Sequence, residues 1–181
     1  MSLISPTDRT VPITVERRIE LTPSESFQII APIDLGLIFH KWGPLPGVTG
    51  VKNQTGSWDQ VGRSRNPQLT DGTTANEQLT EYNAPHSFAY QLTEFTNPIL
   101  SRLAIGVRGE WTFTPDGPGT LIRWTYEFLP RPHRRLALRL GLAPLWRRYM
   151  ESAIEATVVA ARDIAHQQLR GSAVISSPIP G

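Results

Sequence analysis

Residues 103–130, LAIGVRGEWTFTPDGPGTLIRWTYEFLP, decide the architecture. They hold two runs of strict apolar alternation about a turn. In the first, Leu103, Ile105, Val107, Trp111 and Phe113 take one side, and Arg108, Glu110 and Thr112 the other. In the second, Ile122, Trp124, Tyr126 and Phe128 share a face opposite Arg123, Thr125 and Glu127. A period of two over runs this long predicts half-buried strands, one face on a core and one in water. Pro115-Asp116-Gly117-Pro118-Gly119 supplies the turn chemistry of a hairpin. The buried face is broad and aromatic, and a long helical pattern follows it. Between Leu145 and Arg170, the residues Trp146, Tyr149, Met150, Ala153, Ile154, Thr157, Val158, Ala161 and Ala165 fall at helical spacing. That predicts a helix of about 25 residues, about 38 Å long. A sheet gripping one long helix can enclose a pocket.

Upstream, residues 1–12 read as a loose leader, and 13–21 as a strand in which Ile13, Val15, Ile19 and Leu21 alternate with polar residues. Arg17 falls on the apolar face of that strand. Thr22-Pro23-Ser24-Glu25 reads as a helix start, with Thr22 as N-cap, Pro23 in the first turn and Glu25 three residues on. One short helix is expected from Ser24 to about Ile30, and a second from Asp34 to Trp42. Residues 48–55, 61–69, 73–82 and 87–95 read as four more strands, the middle two joined by the hairpin signal Asp71-Gly72. That hairpin is polar on both faces, so alternation leaves its register open. Pro132 and Pro144 bracket a short basic helix, broken near Gly141, and 169–181 should be a flexible tail. The short strand junctions predict an antiparallel meander covered by the last helix, one α+β domain over 13–168 with seven strands.

The chain's 39% hydrophobic and 19% charged residues suit a globular protein, and its net charge is only +2. Sixteen of the eighteen basic residues are Arg, scattered over most of the chain, and no recognition motif accompanies their one cluster, so nucleic acid is not an expected partner. The absence of cysteine excludes disulfides and thiolate metal sites. No apolar run reaches membrane-spanning length and no secretory signal is evident, which makes a cytoplasmic protein without stable membrane insertion the expectation. A homodimer is left open.

The element order, with the segments LTPSESF, KWGPLPG, VGRSRNPQLTDGTTANEQL, HSFAYQL and GEWTFTPDGPGTLIRWTYEF, resembles the Bet v 1/START-like (SRPBCC) superfamily. Within it, the chain is most similar to the polyketide cyclase/dehydrase and lipid-transport group, over about 13–168. The resemblance implies the helix-grip fold: a seven-stranded antiparallel sheet wrapped around a long C-terminal helix, with two short helices after the first strand. It implies, as alternatives, carriers of hydrophobic ligands, cyclases or aromatases acting on polyketides, and members without chemistry. Arg65 and Glu77 match positions where similar sequences often carry Arg and Glu. It brings no cofactor and no shared catalytic signature.

The candidate site follows from the inner face. His40, His86, His133 and His166 have no Ser or Asp partner at a recognised spacing and no paired-histidine motif, so neither a hydrolase triad nor a metal is expected. His40 reads as a cation at a helix end. Phe88, Tyr90, Trp111, Phe113, Trp124, Tyr126 and Phe128, with Trp42, Trp146, Tyr149 and Met150, could line a ligand cavity or simply fill the core. Arg17, Glu77 and Gln91 are candidate inward polar groups. Arg17 or Arg65 is expected either to pair with Glu77 or to orient a ligand carbonyl or carboxylate. Tyr90 and Tyr126 could donate to an enolate, or satisfy their hydroxyls within the core. Arg108, Glu110, Arg123 and Glu127 read as a charge ladder on the outer face. Arg131, Arg134, Arg135, Arg139, Arg147 and Arg148 lie in an acid-free segment rich in leucine, either a solvated helix face or a contact for an anionic membrane or an acidic carrier. Three functions remain open on this reading. They are binding of a small hydrophobic or amphipathic ligand, a polyketide cyclase or dehydratase, and an interaction module using 131–148.

Overall fold

A computed structural model describes residues 3–4 and 7–175, with side chains as far as 171. Seven antiparallel strands form one sheet in the order β1-β7-β6-β5-β4-β3-β2. They are β1 (Val11–Ile19), β2 (Val48–Lys52), β3 (Ser64–Leu69), β4 (Asn76–Asn83), β5 (Ser87–Thr93), β6 (Ala104–Asp116) and β7 (Gly119–Pro130). The sheet curls around α5 (Ala143–Ile175), a helix of 33 residues, about 50 Å at 1.5 Å per residue. This is the helix-grip fold. Between β1 and β2 lie α1 (Pro23–Ile30) and α2 (Leu35–Ile38), between β5 and β6 lies α3 (Pro98–Leu103), and α4 (Arg135–Ala137) precedes α5.

The inner face is a set of rows running across the strands. Phe113 pairs with Ile122, Trp111 lies between Phe88 and Trp124, and Gly109 lies between Tyr90 and Tyr126. The next row runs Arg65, Glu77, Leu92, Val107, Phe128, Val11. Aromatic rings fill the rows nearest the β6–β7 turn: Trp111 stacks on Trp124 with centroids 4.6 Å apart. Phe27 of α1 presses edge-on against Tyr82, Phe88 and Phe113. The α5 stripe read from the sequence faces inward, with Tyr149, Met150, Ala153, Ile154, Thr157, Val158, Ala161 and Ala165 buried and Trp146 partly so.

Local chemistry sets the ends. Thr22 caps α1 in a reciprocal capping box with Glu25, and Asp34 caps α2 through the Gly36 amide at 2.9 Å. The second helix stops at Ile38 rather than Trp42. Phe39 leaves the helix and its carbonyl accepts from the Val48 amide at 2.8 Å. Gly47 permits that approach, since a Cβ there would lie 2.7 Å from the Phe39 carbonyl oxygen. His40 therefore lies past the helix end, and the dipole reading of it falls away. Strands β2 and β5 end earlier than expected, where Asn53 and Glu94 turn into left-handed backbone. The sequence reading missed α3, although Asn97 caps it through two amides and Pro98 opens it.

Two bulges re-aim side chains. One lies between Ala104 and Gly106, so Ile105 is exposed instead of joining Val107 on the inner face. The other lies between Leu79 and Glu81, and it fixes the parity of the polar hairpin: Glu77 points in, while Gln91 bonds Gln78 at 3.1 Å on the outer side. The expected break near Gly141 is instead a π-helical turn, Leu138–Leu142, that runs straight into α5. Widening the helix there accommodates Pro144, which has no amide to donate. The helix also continues past Arg170 to Ile175, into the segment expected as tail, of which 176–181 lie outside the described residues.

Phe27 locks α1 onto the sheet. Phe27→Ala should lower unfolding free energy by about 3–5 kcal/mol in chemical denaturation, because three rings lose their edge contacts to one buried side chain.

Candidate functional site

Where the aromatic rows stop, a cavity begins. Its volume is about 440 Å³ and its wall is almost wholly apolar, within the range of small-molecule sites. Leu92, Val107, Tyr126 and Phe128 form its sheet wall. Trp146, Tyr149 and Leu142 come from the helix side, and Leu35, Phe39 and residues 44–46 close one flank. The mouth lies between α3, through Ile99, Leu100 and Leu103, and the segment that leads into α5, through Ala137, Gly141 of the π-turn and Leu145. An outer-face hollow of about 400 Å³ over Thr14, Glu16, Glu110, Thr112, Arg123 and Thr125 is polar and open, without apolar enclosure.

Glu77 is the one charged side chain in the cavity wall. Its carboxylate accepts from Arg65 Nε at 2.6 Å, with the two side chains 4% and 7% exposed. The Arg65 guanidinium lies 3.9 Å from the centroid of the buried Trp58 ring. Arg65 does not reach the main cavity. It lines a side void of about 20 Å³ shared with Glu77, Phe88, Tyr90 and Trp111. The pair is thus charge-compensated, with its carboxylate side facing the cavity.

Tyr90 and Tyr126 flank Gly109 on neighbouring strands. A Cβ at Gly109 would lie 2.3 Å from the Tyr90 ring, so glycine is what lets that ring lie flat on the sheet. The Tyr90 hydroxyl accepts from Trp124 Nε1 at 3.1 Å. Burial pushes the Tyr90 phenol well above its ordinary pKa, and the Glu77 charge adds to the shift. Burial raises Tyr126 likewise, helped by Tyr90 and Glu77. Tyr149, raised mainly by burial, donates its hydroxyl to the Pro46 carbonyl at 2.6 Å. All three phenols therefore stay protonated through the physiological range, as donors and not as bases.

Of the residues the sequence brought forward, Glu77, Tyr126, Phe128, Trp146 and Tyr149 share the main cavity wall. Arg65, Phe88, Tyr90 and Trp111 stand behind it around the side void. Trp124 and Met150 are fully buried in the core, and Trp42 packs against the core from the 42–45 loop, outside the cavity. Arg17 lies on the inner face but in the row of Ile122, at the free edge of β1, where it pairs with Glu155 of α5 at 2.5 Å. It is far along the sheet from Glu77. The outer-face charges pair differently from the expected ladder: Arg108 bonds Glu81 and Glu110, Arg123 bonds Glu16, and Glu127 accepts from Thr10. No pattern in the sequence marks the wall residues Leu92, Leu100 and Phe95, whose placement depends on how the sheet curls and on α3.

Residues 10–162 match the family described as polyketide cyclase / dehydrase and lipid transport. The chain belongs to that family. It sits within the Bet v 1-like SRPBCC superfamily, and solved structures show the same fold at low identity. Ara h 8.0201 matches with TM-score 0.66 and 11% identity, over 85% of this chain and 99% of that one. Major latex-like protein 151 of Panax ginseng matches with TM-score 0.62 and 13% identity, over 83% and 96%. Norcoclaurine synthase of Thalictrum flavum matches with TM-score 0.60 and 14% identity, over 88% of each chain. A search of curated protein sequences finds no match. No helix among the described residues is long and apolar enough to cross a membrane.

Removing one member of the buried pair strands the other. Glu77→Gln should cost about 3–5 kcal/mol in denaturant unfolding, while the double change Arg65→Met/Glu77→Leu should recover most of that loss. Equal losses in both variants would assign the stability to packing and not to charge.

Proposed function

We propose that this protein binds a small, uncharged hydrophobic or amphipathic molecule in the cavity between sheet and C-terminal helix. The observation that carries the reading is the largely apolar cavity of about 440 Å³ with a charge-compensated carboxylate in its wall. Burial of apolar ligand surface supplies affinity at about 25 cal/mol per Å² before ordering costs. Glu77 offers a hydrogen-bond acceptor, and Arg65 behind it holds the local charge near zero. A ligand with an anionic head would meet a carboxylate and no free cation. The family description, which couples lipid transport with cyclase and dehydrase activity, supports a cavity ligand of this class.

A second reading, a polyketide cyclase or dehydratase, rests on the same wall. Tyr126, held protonated, can donate to a developing enolate beside Glu77. On that reading Tyr126→Phe abolishes turnover of a poly-carbonyl substrate and leaves its binding within a few fold. A protein that binds such a compound without converting it is a carrier.

Native mass spectrometry with denaturing extraction is the direct test of binding, paired with titration of a neutral apolar dye. Leu92→Trp, which projects a larger ring into the space, should abolish dye uptake and leave the melting temperature unchanged or raised. Uptake unaffected by this filling would place the ligand elsewhere and end the cavity reading.

A further inference from the structure

The basic segment 131–148 lies at the mouth of the cavity, and the fold gives it a purpose that its charge alone does not. Residues 135–142 coil as α4 and the π-turn. Leu138 and Leu142 turn into the protein, while Leu136 and Leu140 stand 66% exposed on the outside. One residue on from each, Ala137 and Gly141 line the mouth, as do the exposed Leu145 and, across the opening on α3, Ile99 at 63% exposure. The opening is thus rimmed by apolar side chains held in water. Single exposed aliphatics are ordinary, but Leu145 and Ile99 at the opening, with Leu136 and Leu140 one residue outside it, make a patch.

Beside that rim stand Arg131, Arg134, Arg135 and Arg139, all exposed, with no acid anywhere in 131–148. None of the four takes part in an ion pair among the described residues. Arg131 spends one donor on the Ser101 carbonyl, which ties the end of β7 to α3 and leaves its charge uncompensated. The remaining two arginines of the segment are engaged: Arg147 donates to the Thr14 carbonyl at 2.9 Å and Arg148 pairs with Glu151 at 3.2 Å. The free cations therefore gather where the exposed leucines are.

We propose that the cavity mouth docks, reversibly and without insertion of a spanning segment, on an anionic lipid surface. Leu136, Leu140, Leu145 and Ile99 enter the headgroup boundary, and Arg131, Arg134, Arg135 and Arg139 contact lipid phosphates. The chemistry favours lipid over an acidic protein, because the rim presents aliphatic side chains and long cationic ones with no hydrogen-bonding pattern to read a partner. Docked in this way, the opening faces an apolar medium, and a water-insoluble ligand passes between bilayer and cavity without crossing bulk water. This rests on the ligand-binding reading for its purpose, but the docking itself is measurable without any ligand.

The test is co-sedimentation of the full chain with vesicles of phosphatidylcholine alone and of phosphatidylcholine with phosphatidylglycerol. Binding to the anionic vesicles should be at least about tenfold stronger and should weaken as salt is raised. Arg134→Gln/Arg135→Gln/Arg139→Gln should lower it by about fivefold for each charge removed. Leu136→Ser/Leu140→Ser should lower it further at constant charge. All these side chains are exposed, so unchanged melting temperatures are expected and serve as the folding control. Equal binding to both vesicle types, no binding to either, or variants indistinguishable from the parent would overturn the proposal. Capture of an acidic carrier protein by a chain that ignores vesicles would overturn it in favour of protein docking. Leu92→Trp, its cavity filled, should still dock. If the parent chain takes up dye but ignores vesicles, only the docking fails; if it docks but takes up nothing, only the ligand reading fails.

Discussion

The structure turns on a mismatch of shape: a straight helix cannot fill a curled sheet from end to end. Whatever it leaves must be closed by other side chains or stay empty. At the β6–β7 turn end the sequence supplies rings, with Phe27, Phe88, Trp111, Phe113 and Trp124 meeting edge-on or stacked. At the other end it supplies Ala75, Leu92 and Val107, side chains too small to reach the helix, and the space stays open. The boundary falls at the row Tyr90, Gly109, Tyr126. There a missing Cβ lets the Tyr90 ring lie on the sheet, and its hydroxyl accepts from Trp124 Nε1. Core and cavity are one packing problem with two solutions along the same strands.

That division explains why part of the site was legible in the sequence and part was not. Strict alternation in 103–130 fixes which residues of β7 face inward, and Ile122, Trp124, Tyr126 and Phe128 are all buried. Alternation does not say how far along a row a residue lies from the void. Trp124 and Tyr126 are two residues apart on one face, yet one is core and the other cavity wall. Arg17 shows the same limit: its parity is inward, but its row and its edge position give it to Glu155. The bulge at Ile105 breaks parity outright, since one extra residue reverses the face of all that precede it. Glu77 lies in a strand polar on both faces, where hydrophobic pattern carries no register information. There the family resemblance singled out Arg65 and Glu77 without giving their parity, and the structure turns both inward.

The segment before α5 illustrates a different limit. Two prolines and a glycine read as interruption, and Gly141 does stand where the helix changes. The chain absorbs the missing Pro144 amide by widening one turn and continues. Because the helix is not broken, Leu138, Leu142, Trp146 and Tyr149 stay on one inward face across the change of pitch, three of them in the cavity wall. The same turn carries Leu136 and Leu140 outward. A sequence break would have separated the mouth from the helix; the π-turn makes the mouth part of it.

The electrostatics of the wall bear on which chemistry it can support. A general base needs a group able to take a proton near neutral pH, and the phenols here are displaced the other way by burial. A proton taken up by Glu77, on either oxygen, would leave the buried Arg65 cation beside Trp58 without its counter-charge. Proton transfer at this wall therefore works against the interactions that hold the wall together. Accepting a hydrogen bond from a neutral ligand does not, because the second carboxylate oxygen can be used while the first keeps Arg65. On the proposed ligand-binding reading, that second oxygen holds a neutral molecule without disturbing the pair behind it.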